Sequence, residues 1–395
     1  MELLPPSISN LRLLSLLGNI LAVQATPEDT AKLRLAFVDR EFSWQRLADF
    51  AEAQGMIFPL IWSLSKRGLL LPVPAKHRAQ AHVDHPTAVL RSAYAHYLER
   101  RRKQREQLLA IISTLNAAGI TPLLLKGARY LIDPKQAWRE ARDMRDLDIL
   151  VREDDGQKAL AALIRAGYRS EPDFFPVDQH FPLLMLSGFP SAVELHTEAL
   201  AYAARKILPT EAVWRHAIRG PADHGEFYIL SDEWHLLLGV LHHQVSDRGH
   251  ARRLLALKGL WEFAALGEEL PSPGWHAIAQ HMAAQGQLDV LASFIAQAHR
   301  LFGLACPAEV AISSEARAHA KSTFTRASLP YSLRRGLFLA DQLRFGFSRE
   351  TMAVRYGSPE QAMSLSSLAR HLAFLARYHR GRILGRITGR SDRLS

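Results

Sequence analysis

The stretch RDLDILV, residues 145–151, decides how the fold of this chain is interpreted. Successive side chains of a β-strand point to opposite faces. One face is then predicted to be apolar, and it consists of Leu147, Ile149 and Val151. Asp146 and Asp148 share the other face. Two carboxylates at this spacing lie close enough to bind one hard divalent cation, whose charge would remove the repulsion between them.

A second short stretch, VELH at residues 193–196, repeats the pattern. Its apolar side chains are predicted to face the core, which places Glu194 and His196 on the opposite face. If the two strands are neighbours in the sheet, Glu194 joins the two aspartates. Three carboxylates on adjacent strands would suit a pair of metal ions about 3.5–4 Å apart.

Upstream of both stretches, a predicted buried strand leads into Gly127 and Ala128, where a helix is expected to begin. A glycine at this place lets backbone N–H groups approach a phosphate, and the N-terminus of a helix favours negative charge. Three nearby cations could neutralise the charge of a triphosphate: Lys126, Arg142 and Arg145.

The period of the apolar residues predicts helices on both sides of these strands. We therefore expect an α+β protein that is predominantly helical, with a small mixed β-sheet at its centre. The predicted organisation is an N-terminal helical region over residues 1–118, a catalytic core over residues 119–230 and a C-terminal helical region over residues 231–395.

The composition is that of an ordinary globular protein, with 48% apolar and 22% charged residues among 395. One cysteine, Cys306, excludes an internal disulfide and any zinc site with several cysteines. No apolar run reaches the roughly 18–20 residues that a membrane span needs. Residues 11–25 are rich in leucine, but acidic and proline residues precede them, which favours an amphipathic helix over a signal peptide. We expect a cytoplasmic protein.

Most of the net charge of +10 lies at one end of the chain. Residues 334–395 contain twelve arginines and four acidic residues. Such a basic end could contact nucleic acid, a membrane surface or an acidic partner, and a solvated helical tail would have the same composition.

Several histidines accompany the carboxylates. His196 is expected either to contact phosphate or acceptor or to orient Glu194. His180 is expected to lie at the surface or to contact a residue that binds the metal. His242 and His243 are predicted to lie on a helix, where neighbouring side chains diverge by about 100°, so we expect that they cannot easily chelate one ion together. The sequence contains no motif of a P-loop ATPase, a Rossmann enzyme or a zincin.

The order of these motifs resembles the polymerase-β-like nucleotidyltransferase superfamily, and within it an uncharacterised bacterial nucleotidyltransferase family. The residues that carry the resemblance are Lys126-Gly127, the stretch 142–148, Gly167-Tyr168 and the stretch 194–196. The resemblance implies transfer of a nucleotidyl group from an NTP, ATP included, to an acceptor, with release of pyrophosphate. The cofactor that it implies is Mg²⁺ or Mn²⁺.

The same resemblance assigns roles to the carboxylates. Asp146 and Asp148 would hold the metal that binds the triphosphate, and Asp148 and Glu194 would hold the metal that activates the acceptor. This chain departs from the superfamily in having Ala128 where a serine is usual, so a hydroxyl contact to phosphate is missing. It also has a long segment between Gly127 and Asp146, and Glu262 in a downstream helix where an aspartate is expected.

The acceptor stays open between a small molecule, a saccharide, a peptide and RNA. A toxin-like transferase acting on RNA is favoured by the arginine-rich end and disfavoured by the absence of a recognisable RNA-binding module. A third alternative is a non-catalytic protein that keeps the fold and binds a nucleotide or a partner. The presence of all three carboxylates argues against it.

Overall fold

The computed structural model describes residues 10–37, 39, 42–70, 86–133, 137–142, 144–170, 179–221, 223–356, 363–373 and 375–376. Contacts between Cα atoms divide the chain into two compact units, Met1–Ser328 and Leu329–Ser395. The first unit contains the sheet and all the residues discussed below as a functional site. The division into three regions at residues 118 and 230 stays a prediction.

The N-terminal part of the first unit is helical, as predicted. Its helices are α1 Asn10–Ile20, α2 Pro27–Phe37, α3 Trp44–Ala53, α4 Ile57–Lys66 and α5 Pro86–Ala117. Helix α1 buries Leu13, Leu14 and Leu17, which recur at helical spacing on one face. The amphipathic helix expected near the N-terminus is therefore confirmed. The hydroxyl of Ser43 accepts the Arg46 N–H and so caps α3.

A seven-stranded mixed sheet follows within the described residues. Its strands are β1 Leu123–Leu124, β2 Asp146–Leu150, β3 Arg169–Ser170, β4 Leu184–Met185, β5 Ala192–His196, β6 Ala217–Arg219 and β7 Tyr228–Leu230. They are arranged in the order β3-β4-β5-β2-β1-β7-β6. Strands β2 and β5 pair in parallel, and Asp148 lies directly opposite Glu194. The neighbouring position that the sequence required for Glu194 is therefore confirmed, as is the mostly helical α+β class.

The two faces of the sheet differ in chemistry. Leu147, Ile149, Val193 and Leu195 are fully buried in a core that they share with α5 and with α6, Gly156–Arg165. The opposite face carries the carboxylates of β2 and β5. The alternation predicted for β2 is thus confirmed, because the apolar face is buried while the other face is left for the site.

The helices that cover the carboxylate face come from the following part of the chain. They and their neighbours are α7 Tyr202–Arg205, α8 Thr210–Arg215, α9 Asp232–Leu241, α10 Gly249–Arg252, α11 Leu257–Glu269, α12 Ser272–Ala284, α13 Leu288–Phe302 and α14 Ser314–Ser328. Helix α9 continues directly into a π-helix, His242–Ser246, called the π-turn below. Leu150 of β2 shares a buried core with α9 and α11, so these helices face the carboxylates.

The second unit contains α15 Tyr331–Gly346 and α16 Arg349–Tyr356. The basic end predicted from the sequence begins in this unit, and its last part, residues 377–395, lies outside the described residues. Across the described residues, every helix is too short or too polar to cross a lipid bilayer.

Candidate active site

The carboxylates of β2 and β5 form the centre of the site. Asp148 is buried, with 2% of its surface exposed, whereas Asp146 and Glu194 are half-buried. Lys126 Nζ lies 2.7 Å from Asp148 Oδ1. His196 Nε2 lies 3.1 Å from the same oxygen and 3.3 Å from Glu194 Oε2. A buried carboxylate is costly unless it is paired, and here one ammonium group and one imidazole provide the partners.

The two aspartates of β2 have pKa values displaced in opposite directions. Burial, together with the charges of Asp148 and Glu194, raises the pKa of Asp146. Burial alone would also raise the pKa of Asp148, but Lys126 and His196 outweigh it and hold that pKa well below its usual range. Asp148 is therefore firmly ionised, and Asp146 is the carboxylate that gains most from a further positive charge in the site.

The segment after β1 forms a 3₁₀ helix, Lys126–Leu131, where the sequence predicted the start of a helix. Lys126 adopts a left-handed conformation with φ 46°, which is uncommon for a non-glycine residue and occurs often at functional sites. This conformation directs the ammonium group to Asp148. Gly127 is required by packing, because a Cβ atom there would overlap with the side chains of Arg142 and Met144.

The other residues predicted to contact phosphate, Arg142, Arg145 and Ala128, lie in three different environments. Arg142 is buried, and its Nε donates to Glu262 Oε2 of α11 at 2.8 Å. Glu262 Oε1 also lies 3.6 Å from His235 Nε2. Arg145 is exposed directly before β2, and Ala128 is fully buried in the core beneath the sheet. Glu262, which stands where the superfamily pattern has an aspartate, thus holds Arg142 in the site. The sequence had given this residue no role.

His180 lies beside the carboxylates, as suggested by the sequence. Its Nε2 is 4.0 Å from Glu194 Oε2, and its ring centroid is 5.0 Å from that of His196. Burial lowers the pKa of His180, although the charge of Glu194 partly opposes this effect. His180 therefore borders the site without touching Asp146 or Asp148 through any of these contacts.

A pocket opens over the carboxylates, with a cavity volume of about 200 Å³. This is smaller than the roughly 300–1,000 Å³ that is usual for pockets of drug-sized ligands. We call its two sides the sheet wall and the helix wall. Lys126, Asp146 and Asp148 of the sheet wall line the pocket, and we include in this wall Glu194 and His196 of the adjacent strand β5. The polar side chains of the helix wall come from α9, the π-turn and α11, and they are His235, His242, His243, Lys258 and Glu262. Arg142 also lines the pocket.

The structure corrects one prediction about the histidines of the helix wall. His242 and His243 were expected to diverge as they would on an α-helix, yet their ring centroids are only 5.0 Å apart. Both rings also lie within 3.6 Å of Asp247. The physical reason is the π-turn, whose wider turn rotates consecutive residues by less than the 100° assumed for an α-helix. The expectation that these two side chains diverge is therefore wrong.

The donor set of the sheet wall fits the metal that the resemblance implies. One ligand atom each from Asp148, Glu194 and His196 lies within 4.8 Å of the other two. Asp146 adds a third carboxylate on the same face of β2, since it lies two residues before Asp148. Carboxylate oxygens are the ligands that Mg²⁺ prefers, with one or two of them supplied by the protein and the rest by water and phosphate.

Comparison with known proteins identifies the family. A family model described as "uncharacterised nucleotidyltransferase" matches residues 40–303. The matched segment covers the sheet, both walls of the pocket and most of the flanking helices. The chain therefore belongs to this nucleotidyltransferase family and is a transferase. No curated protein and no solved structure matches it.

Proposed function

From membership of this family, we propose that the protein transfers a nucleotidyl group from an NTP to an acceptor hydroxyl or phosphate and releases pyrophosphate. The observation that carries the proposal is the parallel pairing of β2 with β5, which sets Asp148 opposite Glu194 beside the pocket. Asp146, Asp148 and Glu194 would hold Mg²⁺ or Mn²⁺. The metal, when bound, would neutralise the triphosphate and lower the pKa of the acceptor oxygen.

The residues of the chain have separate tasks in this proposal. Lys126 balances Asp148 in the nucleotide-free protein, and its ammonium group would contact a phosphate oxygen of the bound NTP. Arg142, fixed by Glu262, would contribute a second cation at the pocket. Glu194 would accept the proton of the acceptor. The acceptor oxygen forms a bond with the α-phosphorus, the bond from that phosphorus to the bridging oxygen breaks, and pyrophosphate leaves with the electron pair. Positioning and charge neutralisation supply most of the rate enhancement.

The reaction is tested with NTPs labelled at either the α- or the γ-phosphate. The protein is incubated with each of the four NTPs, Mg²⁺ or Mn²⁺ and fractions of a cell extract that separate RNA, protein, saccharides and small molecules. We expect the α-label to enter one fraction while the γ-label appears only in pyrophosphate. Transfer of the γ-label to an acceptor would show a kinase and overturn the proposal.

A double variant assigns the reaction to the site. Asp146→Asn/Asp148→Asn should abolish transfer of the α-label, because both ligands of the nucleotide metal are lost. The matched control is Asp154→Asn/Asp155→Asn, which removes two carboxylates a few residues beyond the same strand. If wild-type protein binds an NTP with Mg²⁺ but transfers no label to any fraction, the non-catalytic alternative is favoured instead. Labelling confined to the RNA fraction would support the RNA-directed alternative.

A further inference from the structure

The π-turn brings together three side chains that the proposed reaction does not use. His242 Nε2 lies 3.6 Å from Asp247 Oδ2, and His243 Nδ1 lies 3.6 Å from the same oxygen. One ligand atom from each of the three residues lies within 4.8 Å of the other two. π-Helices are rare and are found frequently at functional sites. Here the π-turn is what makes the cluster possible.

We propose that His242, His243 and Asp247 form a second metal site, for a transition metal of the zinc class, on the helix wall of the pocket. This site is separate from the carboxylates of β2 and β5, and it goes beyond the proposed transfer reaction. It provides the pocket with a cation of a different kind from Mg²⁺.

Two of the three ligand separations are close to those around such a metal. Zn²⁺ binds imidazole nitrogen and carboxylate oxygen at about 2.0–2.2 Å, so two tetrahedral ligands are separated by about 3.4 Å. The two distances of 3.6 Å from Asp247 to the histidines therefore need to shorten by only a few tenths of an ångström. The third separation, between the two histidine nitrogens, is within 4.8 Å. The side chain of Asp247 is 55% exposed, so it has room to rotate toward the metal.

The chemistry of the ligands selects the metal. Two imidazoles and one carboxylate suit Zn²⁺ and its neighbours among the transition metals, whereas Mg²⁺ prefers oxygen ligands alone.

The fold also makes room for the cluster. A Cβ atom at Gly259 of α11 would overlap with the imidazole of His243, so only glycine allows this ring to lie against that helix. A glycine inside a helix is unfavourable relative to alanine. Arg248, which follows Asp247, has a left-handed conformation with φ 56°. Two locally unfavourable features are therefore retained next to the π-turn and the His243 ring.

Three protein ligands leave at least one coordination position open, as in catalytic zinc sites. His242 and His243 line the pocket, so an open position would be accessible to an oxygen atom of a ligand bound there. The ligand class that fits is a phosphate or an acceptor oxygen, because both would lie between this metal and the carboxylates of the sheet wall.

The test uses Co²⁺, a spectroscopic substitute for Zn²⁺, and protein without a histidine tag. The background is Asp148→Asn/Glu194→Gln, which removes the carboxylate ligands of the other site. We expect this variant to bind one equivalent of Co²⁺ with the visible absorption of a site of low coordination number. Adding Asp247→Asn should weaken binding by more than the roughly 10–100-fold that is typical of losing a residue outside the ligand shell. The matched histidine control is His276→Gln, an exposed residue of α12, which should leave binding unchanged.

Two outcomes would overturn the site. One is a background variant that binds no Co²⁺, and the other is Co²⁺ binding that Asp247→Asn and His243→Gln leave unchanged. Asp247 is largely exposed, so its substitution tests the site without disturbing the core. Gly259→Ala provides an independent geometric test, since it should weaken Co²⁺ binding by displacing His243 while all three ligands are retained. If the wild-type protein transferred no label while the background variant still bound Co²⁺, the proposed function would be contradicted and the proposal of this metal site would remain.

Discussion

The sheet wall and the helix wall of the pocket are built in different ways. The sheet wall depends on the two-residue period of a β-strand, which places Asp146 and Asp148 on one face whatever the rest of the chain does. The helix wall depends on a π-turn and on a glycine sixteen residues beyond His243, neither of which follows a local period. The relative positions of functional side chains on a strand can therefore be predicted from the sequence. Their positions on an irregular helix are known only from the structure.

The walls differ in charge as well. Three carboxylates converge at the sheet wall and are balanced by Lys126 and His196. The helix wall combines imidazoles with Lys258 and the ion pair between Arg142 and Glu262. A triphosphate carrying Mg²⁺ needs both an acidic and a basic surface. Its metal binds carboxylates, and its remaining oxygens bind cations. Substitutions in one wall alone therefore separate the contribution of the carboxylates from that of the cations.

The largest effect is expected from Asp148→Asn, because Asp148 is the carboxylate that Lys126, His196 and the metal would share. NTP turnover should fall by at least about 10²–10³-fold, the loss typical of removing one electrostatic contact to the transition state. Leaving the ammonium group of Lys126 without its partner should also lower the free energy of unfolding. Turnover at saturating Mg²⁺ and urea unfolding measure the two effects.

The matched control for this prediction is Asp154→Asn, which removes an exposed carboxylate four residues beyond β2. If this control lost as much turnover as Asp148→Asn, the special role of the sheet wall would be contradicted.

The next effect concerns the helix wall and is one of stability. Glu262→Gln removes a charged partner of the buried Arg142 and a contact of His235. Breaking a buried ion pair by removing one partner costs at most about 3–5 kcal/mol, the value for a charge that is left uncompensated. Urea unfolding at pH 7 should show a loss of up to this size. A loss below about 1 kcal/mol would mean that the other contacts of Arg142 hold it without Glu262, and the helix wall would not be what positions it.

The sequence predicted the fold class and the burial pattern of β2, because both follow from short periods in the apolar residues. The pairing of β2 with β5 was a condition of the predicted site, since a local period does not determine which strands pair, and the structure shows that pairing. The sequence missed the approach of His242 to His243, since a helical period of 100° was assumed where a π-turn occurs. It also gave Glu262 no role. Pairing between residues 120 positions apart, as for Arg142 and Glu262, depends on how helices pack and leaves no local signal.

A smaller effect is expected from Ala128→Ser, which restores the hydroxyl that the superfamily usually carries at this position. Ala128 is fully buried in the core below the sheet, so the new hydroxyl would be buried there rather than directed at the pocket. An unpartnered buried hydroxyl costs about 1–3 kcal/mol. We expect a lower melting temperature and an unchanged KM for the NTP. A clearly lower KM would show instead that the segment after β1 can turn this position toward phosphate.

The smallest expected effect is the difference between the pKa values of the imidazoles in the two walls of the metal-free protein. Burial alone would lower the pKa of His196, but its hydrogen bonds to Asp148 and Glu194 outweigh burial and raise it. For His242, burial and Lys126 lower the pKa to about 3. Nitrogen NMR of the rings in the presence of EDTA should therefore show His196 protonated above pH 6.5, the ordinary value of a histidine, and His242 neutral well below it.

These opposite shifts affect stability in opposite pH ranges. The raised pKa of His196 contributes stability that is complete below pH 6.5 and is lost as the pH rises through its folded value. The lowered pKa of His242 contributes stability that is present above pH 6.5 and is lost as the pH falls toward about 3. His242→Gln should therefore reduce the loss of unfolding free energy on acidification, and His196→Gln should reduce the loss at higher pH. If both variants changed the same side of the pH profile, the electrostatic contrast between the two walls would be wrong.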